Sequence, residues 1–91
     1  MNDFNEKLCS LGIKKVVEIY IQNYFDLHGE TLPLDGLYPR FMSEIERSLI
    51  EETLRRMDGN QVRVAKLLGI NRNTLRRKIQ DLNISLEKIV R

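Results

Sequence analysis

Cysteine is almost missing from this 91-residue chain: Cys9 stands alone, which excludes an intrachain disulfide and a cysteine-based metal cluster. Histidine is equally scarce. His28 is the only one and lies far from Cys9 in sequence, so neither a cysteine–histidine nucleophile nor a metal site is expected. Standing before Gly29, His28 reads instead as a residue that caps the carbonyls of a helix end. There is no glycine-rich phosphate loop. Nor are carboxylates set apart for acid–base work, since Glu51 and Glu52 precede Arg55 and Arg56 by four residues, the favourable order for ion pairing along one helix face. The chain is therefore not expected to be an enzyme, to hold a cofactor or to take a small-molecule substrate. Long apolar runs are missing too. None approaches the roughly 20 residues that cross a bilayer, and no signal peptide is recognisable, so the expectation is a cytoplasmic protein with no membrane partner.

The composition, 42% hydrophobic and 31% charged, is that of a folded protein rather than a disordered tail. Ninety-one residues are expected to make a single domain, and so short a chain buries only about 60 to 65% of its unfolded surface, so a partner chain would help. The net charge of +2 says little until it is divided along the chain. Residues 1–58 carry 7 basic and 11 acidic groups, a balance of −4, whereas residues 59–91 carry 8 basic and 2 acidic groups, a balance of +6. From Arg63 to Lys78 acid is absent altogether, while Arg63, Lys66, Arg72, Arg76, Arg77 and Lys78 supply six positive charges. A polyanion is the natural partner of that end.

The cationic stretch has its own internal order. From Gly59 to Leu82, two short helical patterns are joined by Leu68-Gly69-Ile70-Asn71. Ala65 allows the second helix to cross close to the first, and Gly69 can take a positive φ that a Cβ would resist. Asn60 and Asn71 each precede a helical pattern, where an amide side chain accepts from orphan N–H groups. In the second helix Leu75, Ile79 and Leu82 form one apolar stripe, so Asn73 and Arg77 point away from it, flanked by Thr74 and Arg76. Arg donates two hydrogen bonds to guanine, Asn pairs with adenine, and Lys, Arg and Thr also bind phosphate oxygens. A glycine turn or a basic face alone is commonplace. Together, with the Ala65 and Gly69 spacing, they predict a helix-turn-helix that reads double-stranded DNA.

Upstream, residues 1–12 read as a polar tail. A helix is predicted over 13–27 from Ile13, Val16, Val17, Tyr20, Ile21, Tyr24, Phe25 and Leu27, with Gly29 ending it. Pro33 and Asp35-Gly36 mark a loop. A second helix is predicted from Pro39 to Met57, with Phe41, Met42, Ile45, Leu49, Leu54 and Met57 in helical period and Gly59 as its cap. These apolar faces are too broad for one short domain, so residues 13–57 are expected to dimerise through Val17, Tyr20, Ile21, Tyr24, Phe25, Phe41, Ile45 and Leu49. The helix-turn-helix should occupy 59–84, with Asn83 as a left-handed cap. Residues 85–91 form a C-terminal tail or one further helical turn.

Gly59-Asn60-Gln61, Gly69-Ile70-Asn71-Arg72 and Thr74-Leu75-Arg76, followed by Arg77-Lys78, resemble the Fis-like DNA-binding family. That family includes free-standing nucleoid proteins and the C-terminal domains of NtrC-type enhancer-binding activators. The likeness extends upstream through Asn23-Tyr24-Phe25, Leu37-Tyr38 and Glu44-Ile45-Glu46. It implies an all-α, four-helix homodimer in which two dimerisation helices precede the helix-turn-helix. It also implies that Asn71 and Arg72 face bases, while Asn60, Thr74, Arg76, Arg77 and Lys78 lie near base edges or phosphates of a bent inverted-repeat site. Val62 departs from the nucleoid proteins, which have a phosphate-binding hydroxyl there. Asn73 replaces their glycine but agrees with the NtrC-type branch. The resemblance thus implies a sequence-selective regulator of alternative-sigma-factor transcription, nucleoid-associated in the cytoplasm, or alternatively a nucleoid protein that bends DNA. Asn71, Arg72 and Asn73 favour base reading over backbone contact alone.

Overall fold

The helical periods become five helices in the computed structural model, which describes residues 3–31 and 35–89. They are α1 (Asp3–His28), α2 (Leu37–Arg56), α3 (Gln61–Leu68), α4 (Arg72–Asp81) and the short α5 (Leu86–Ile89). No strand occurs among the described residues, so the all-α expectation holds, with α5 as an addition. Two units are distinguished, Met1–Asp35 and Gly36–Arg91. Pro33, expected in the loop between them, lies outside the described residues, as do the chain's first two and last two residues.

In the first unit, helix also covers 3–11, where the sequence suggested a tail. Gly12, at φ 80° and ψ 158°, interrupts it. Glycine suits that break because positive φ costs it nothing. The segment before it escaped notice because its scattered apolar residues form no stripe, although Asp3 and Glu6 in the first turn suit the positive end of a helix. Beyond Gly12, the expected period is helical throughout, and the helix stops at His28. There Thr31 donates to the His28 carbonyl from both its N–H, at 2.9 Å, and its hydroxyl, at 3.4 Å. The His28 ring lies 4.9 Å from that of Tyr24 instead of over carbonyls. Gly29 is needed for space: a Cβ there would stand 2.9 Å from the Phe25 carbonyl oxygen. No residue of α1 is buried.

The second unit holds the core. α2 begins two residues before Pro39, which therefore occupies the first turn, where a missing N–H leaves no helical bond unmade. Its C-terminal half buries Ile50, Thr53 and Leu54. These meet Val64 and Ala65 of α3, Leu75 and Ile79 of α4, and Leu82, Ile84 and Ile89 beyond it, with Met57, Leu68, Ile70 and Leu86 packed around them. Thr53 is accommodated because its hydroxyl donates to the Leu49 carbonyl at 2.7 Å. The region after Asn83, which the sequence could not place, closes this core: α5 packs on α2.

All three longer helices of this unit end in the same way. The N–H of Gly59 reaches back to Leu54 O at 2.8 Å, that of Ile70 to Ala65 O at 3.0 Å, and that of Ile84 to Ile79 O at 3.0 Å. Each such bond needs a left-handed residue just before the donor. Gly69 at φ 76° and Asn83 at φ 55° supply it as expected. After α2 that residue is Asp58, at φ 52°, and not Gly59. A short polar side chain tolerates the left-handed region, so the cap falls one residue earlier than the glycine suggested.

Candidate nucleic-acid interface

The sequence order Asn60–α3–Gly69–Asn71–α4 builds a rigid corner. Asn60 Oδ1 accepts the Arg63 N–H at 3.2 Å and Asn71 Oδ1 accepts the Asn73 N–H at 2.7 Å, so each asparagine starts its helix. Each oxygen thereby spends one of its two acceptor sites on its own helix, and both amides keep their N–H groups for a ligand. A bidentate contact to adenine needs a free acceptor as well as a donor. Among the asparagines at the tip of α4, the Asn73 side chain takes part in no cap and is thus the better suited to that contact.

α4 turns Leu75 and Ile79 into the core. At about 100° per residue, Asn73 and Arg77 then face the opposite way. Arg72, Asn73, Thr74, Arg76 and Arg77 are all exposed. Arg63 and Lys66 on α3 are exposed as well. Among the described residues none of these five cations makes an ion pair. Three of the four basic residues of α2 behave otherwise, Arg40 being the exception. Arg55 Nη1 lies 2.9 Å and Arg56 Nε 3.2 Å from the Glu52 carboxylate, and Arg47 sits 3.8 Å from Glu44. The hydrogen bond from Arg56 is the main cause that holds the Glu52 carboxyl below its ordinary pKa. One end of the molecule therefore neutralises its own charge, and the other leaves it available.

Lys78 stands apart from the other expected contacts. It is half-buried beside the apolar stripe, and its Nζ lies 2.5 Å from Glu46 Oε2 on α2. Sequence reasoning did not single out Glu46 as a partner of this face. The available signal was the helical wheel, which puts Lys78 only about 60° from Leu75, on the flank that meets a neighbouring helix.

The residues expected to dimerise divide by exposure. Val17, Ile21, Tyr24 and Phe41 are half-buried, whereas Tyr20, Phe25, Ile45 and Leu49 are exposed. Tyr38, at 75% exposed, and Met42 extend the open apolar row of α2. No helix among the described residues is long and apolar enough to cross a membrane.

Comparison with known proteins places this geometry. The family described as bacterial regulatory protein, Fis family, matches residues 41–82, from the open row of α2 to the end of α4. The DNA-binding transcriptional regulator NtrC of Azospirillum brasilense is 47% identical over 75 residues, covering 82% of this chain and 16% of that regulator. The putative Fis-like DNA-binding protein of Pseudomonas aeruginosa is 35% identical over 72 residues, covering 79% of this chain and 68% of its own. The DNA-binding protein Fis of Buchnera aphidicola is 35% identical over 83 residues, covering 91% and 79%. The chain thus spans about a sixth of the NtrC regulators and most of the Fis proteins. No solved structure matches it.

Proposed function

Since the chain belongs to the Fis family of bacterial regulatory proteins, we propose that it is a homodimeric, sequence-selective DNA-binding domain. The observation that carries this reading is the outward face of α4, where Arg72, Asn73, Thr74, Arg76 and Arg77 stand exposed opposite a fully buried Leu75. A helix anchored so firmly on one side presents its other side in a fixed geometry, as reading base edges in a major groove requires. Arg72 and Asn73, at the tip of α4, take base edges. Arg76, Arg77 and Thr74, with the amide of Asn60, take phosphates or neighbouring base edges, and Arg63 and Lys66 add positive field. None of these roles is catalytic.

A second copy covers the apolar residues of α1 and the open row Tyr38, Met42, Ile45 and Leu49 of α2. A twofold dimer asks for an inverted repeat, and the family resemblance adds a duplex bent toward the protein. The identity of 47% to two NtrC regulators supports a role as the DNA anchor of a longer activator of alternative-sigma-factor transcription, working in the cytoplasm at the nucleoid. A free-standing nucleoid protein is the second reading, and the 79% coverage of the Buchnera Fis protein favours it. The length of the natural gene product separates the two.

DNA binding itself is tested by titrating the protein into duplexes selected from a random pool and into unselected duplex. The expected result is an inverted repeat among the selected sites and a log affinity that falls linearly with log salt, by about 0.9 per phosphate neutralised. Selection without any enriched sequence would replace this reading with a purely architectural one.

A further inference from the structure

Six basic residues line α3 and α4, yet among the described residues five form no ion pair and one, Lys78, is held by an acid from another helix. Two observations show that the pairing belongs to the packing of α4 on α2. Along the wheel, Lys78 lies about 100° from Arg77 and about 140° from Asn73, so it leaves the outward face on the side toward α2. Glu46 in turn lies one turn before Ile50, which is 2% exposed, on the row of α2 that faces the core. Both side chains are partly shielded, at 35% and 38% exposed, so their attraction is screened less than that of the open pairs on the outside of α2.

We infer that Glu46 sets the number of cations the interface offers to DNA, by neutralising Lys78 and fastening it to α2 as an anchor of the recognition helix. A phosphate reaching Lys78 has to displace a carboxylate already fixed within the chain. While the pair stays formed it carries no net charge, so it neutralises no phosphate and releases no counterion from the DNA. Lys78 therefore adds nothing to the salt dependence of binding, and non-specific affinity, which is almost wholly electrostatic, is kept lower than six cations would make it. Glu46 acts through Lys78 and needs no contact with DNA.

This rests on the DNA-binding reading, and the test separates the two. Affinity for unselected duplex is measured against salt for the full chain and for Glu46→Gln, Lys78→Met and the double variant. Glu46→Gln frees one cation per protomer, so the salt slope should steepen by about 0.9 per protomer and random-DNA affinity at 0.1 M salt should rise roughly fivefold to tenfold for each protomer that contacts the duplex. The double variant, which removes both charges together, should return the slope to its original value, whereas Lys78→Met leaves the Glu46 carboxylate unpaired beside the duplex and should weaken binding to random DNA. A purely structural role for Glu46 would weaken binding or lower the melting temperature without steepening the slope. An unchanged slope in Glu46→Gln, or one shallower than the original by about 0.9 per protomer in the double variant, overturns the inference while leaving DNA binding intact. Failure of the original chain to bind any duplex overturns the functional reading, and this inference with it.

Discussion

α1 and α4 are both helices whose apolar residues recur at three- and four-residue steps, but α4 buries Leu75 and Ile79 while α1 buries nothing. Within Gly36–Arg91, α2 and α3 provide opposing surfaces for the stripe of α4. Among the described residues of Met1–Asp35, α1 with its break at Gly12 is the helix assigned, and none of its residues is buried. α2 shows both conditions in one helix: its C-terminal half packs into the core, and its N-terminal half leaves Tyr38, Met42, Ile45 and Leu49 open. The same sequence pattern therefore carries two messages. Where the chain supplies the opposing face, the stripe makes a core, and where it does not, the stripe stays open, and this is the face the proposed dimer would cover.

The largest expected effect breaks the side of this contrast that already has its core. Leu75 is fully buried, so Leu75→Ala should cost about 3 to 5 kcal/mol in a denaturant titration, most of the stability of so small a unit. A loss below about 1 kcal/mol would mean that the core is not the cooperative unit it looks to be.

Next comes the open side. Ile45 is 43% exposed, so Ile45→Glu should leave the helical content of the unit intact while weakening self-association by about 2 kcal/mol, roughly thirtyfold in the dimer dissociation constant. Sedimentation over a concentration series reads this directly. Unaltered association would place the partner's contact elsewhere on the molecule.

The interface residue Arg72 sharpens a third difference, between anchored and outward faces of α4. Arg72→Ala should cost about 1 to 3 kcal/mol on the best site and much less on random duplex. If the ratio of the two affinities is unchanged, Arg72 holds phosphate and base reading lies with Asn73 and Arg77.

The smallest effect is expected in the self-paired charges on the outside of α2. The Glu52 carboxyl is held below its ordinary pKa, chiefly by its hydrogen bond with Arg56. A depressed carboxylate pKa contributes stability above the unfolded value and loses it as pH falls through the folded one. Glu52→Gln should thus lower the melting temperature slightly at neutral pH, and that difference should vanish in acid. Because the group is fully exposed, the change should be smaller than any of those above, and a loss at neutral pH as large as that of Leu75→Ala would refute the assignment.

Much of the interface was legible because its determinants are local. Asn60 and Asn71 cap helices two or three residues away, Gly69 answers Ala65 and Lys66 within one turn, and Leu75 with Ile79 defines the orientation of α4. The break at Gly12 was missed because a glycine just before the apolar period of 13–27 reads equally as the residue before a helix start and as a kink within a longer helix. The cap at Asp58 was missed because an adjacent glycine is the stronger signal for a left-handed residue, although the chain uses both.

By itself, then, the sequence determined the all-α class, the corner between α3 and α4, and the exposed cationic face. Each of these depends on hydrogen bonds and periods spanning a few residues, which composition and spacing record directly. Tertiary structure alone decided that Ile84 and Ile89 complete the core and that Lys78 is held by Glu46, 32 residues away, while its five basic neighbours on α3 and α4 form no ion pair among the described residues. Whether two such distant charges meet depends on where α4 crosses α2, a relation set by the fit of Ile50, Leu54, Leu75 and Ile79 against one another and written at no single position of the chain.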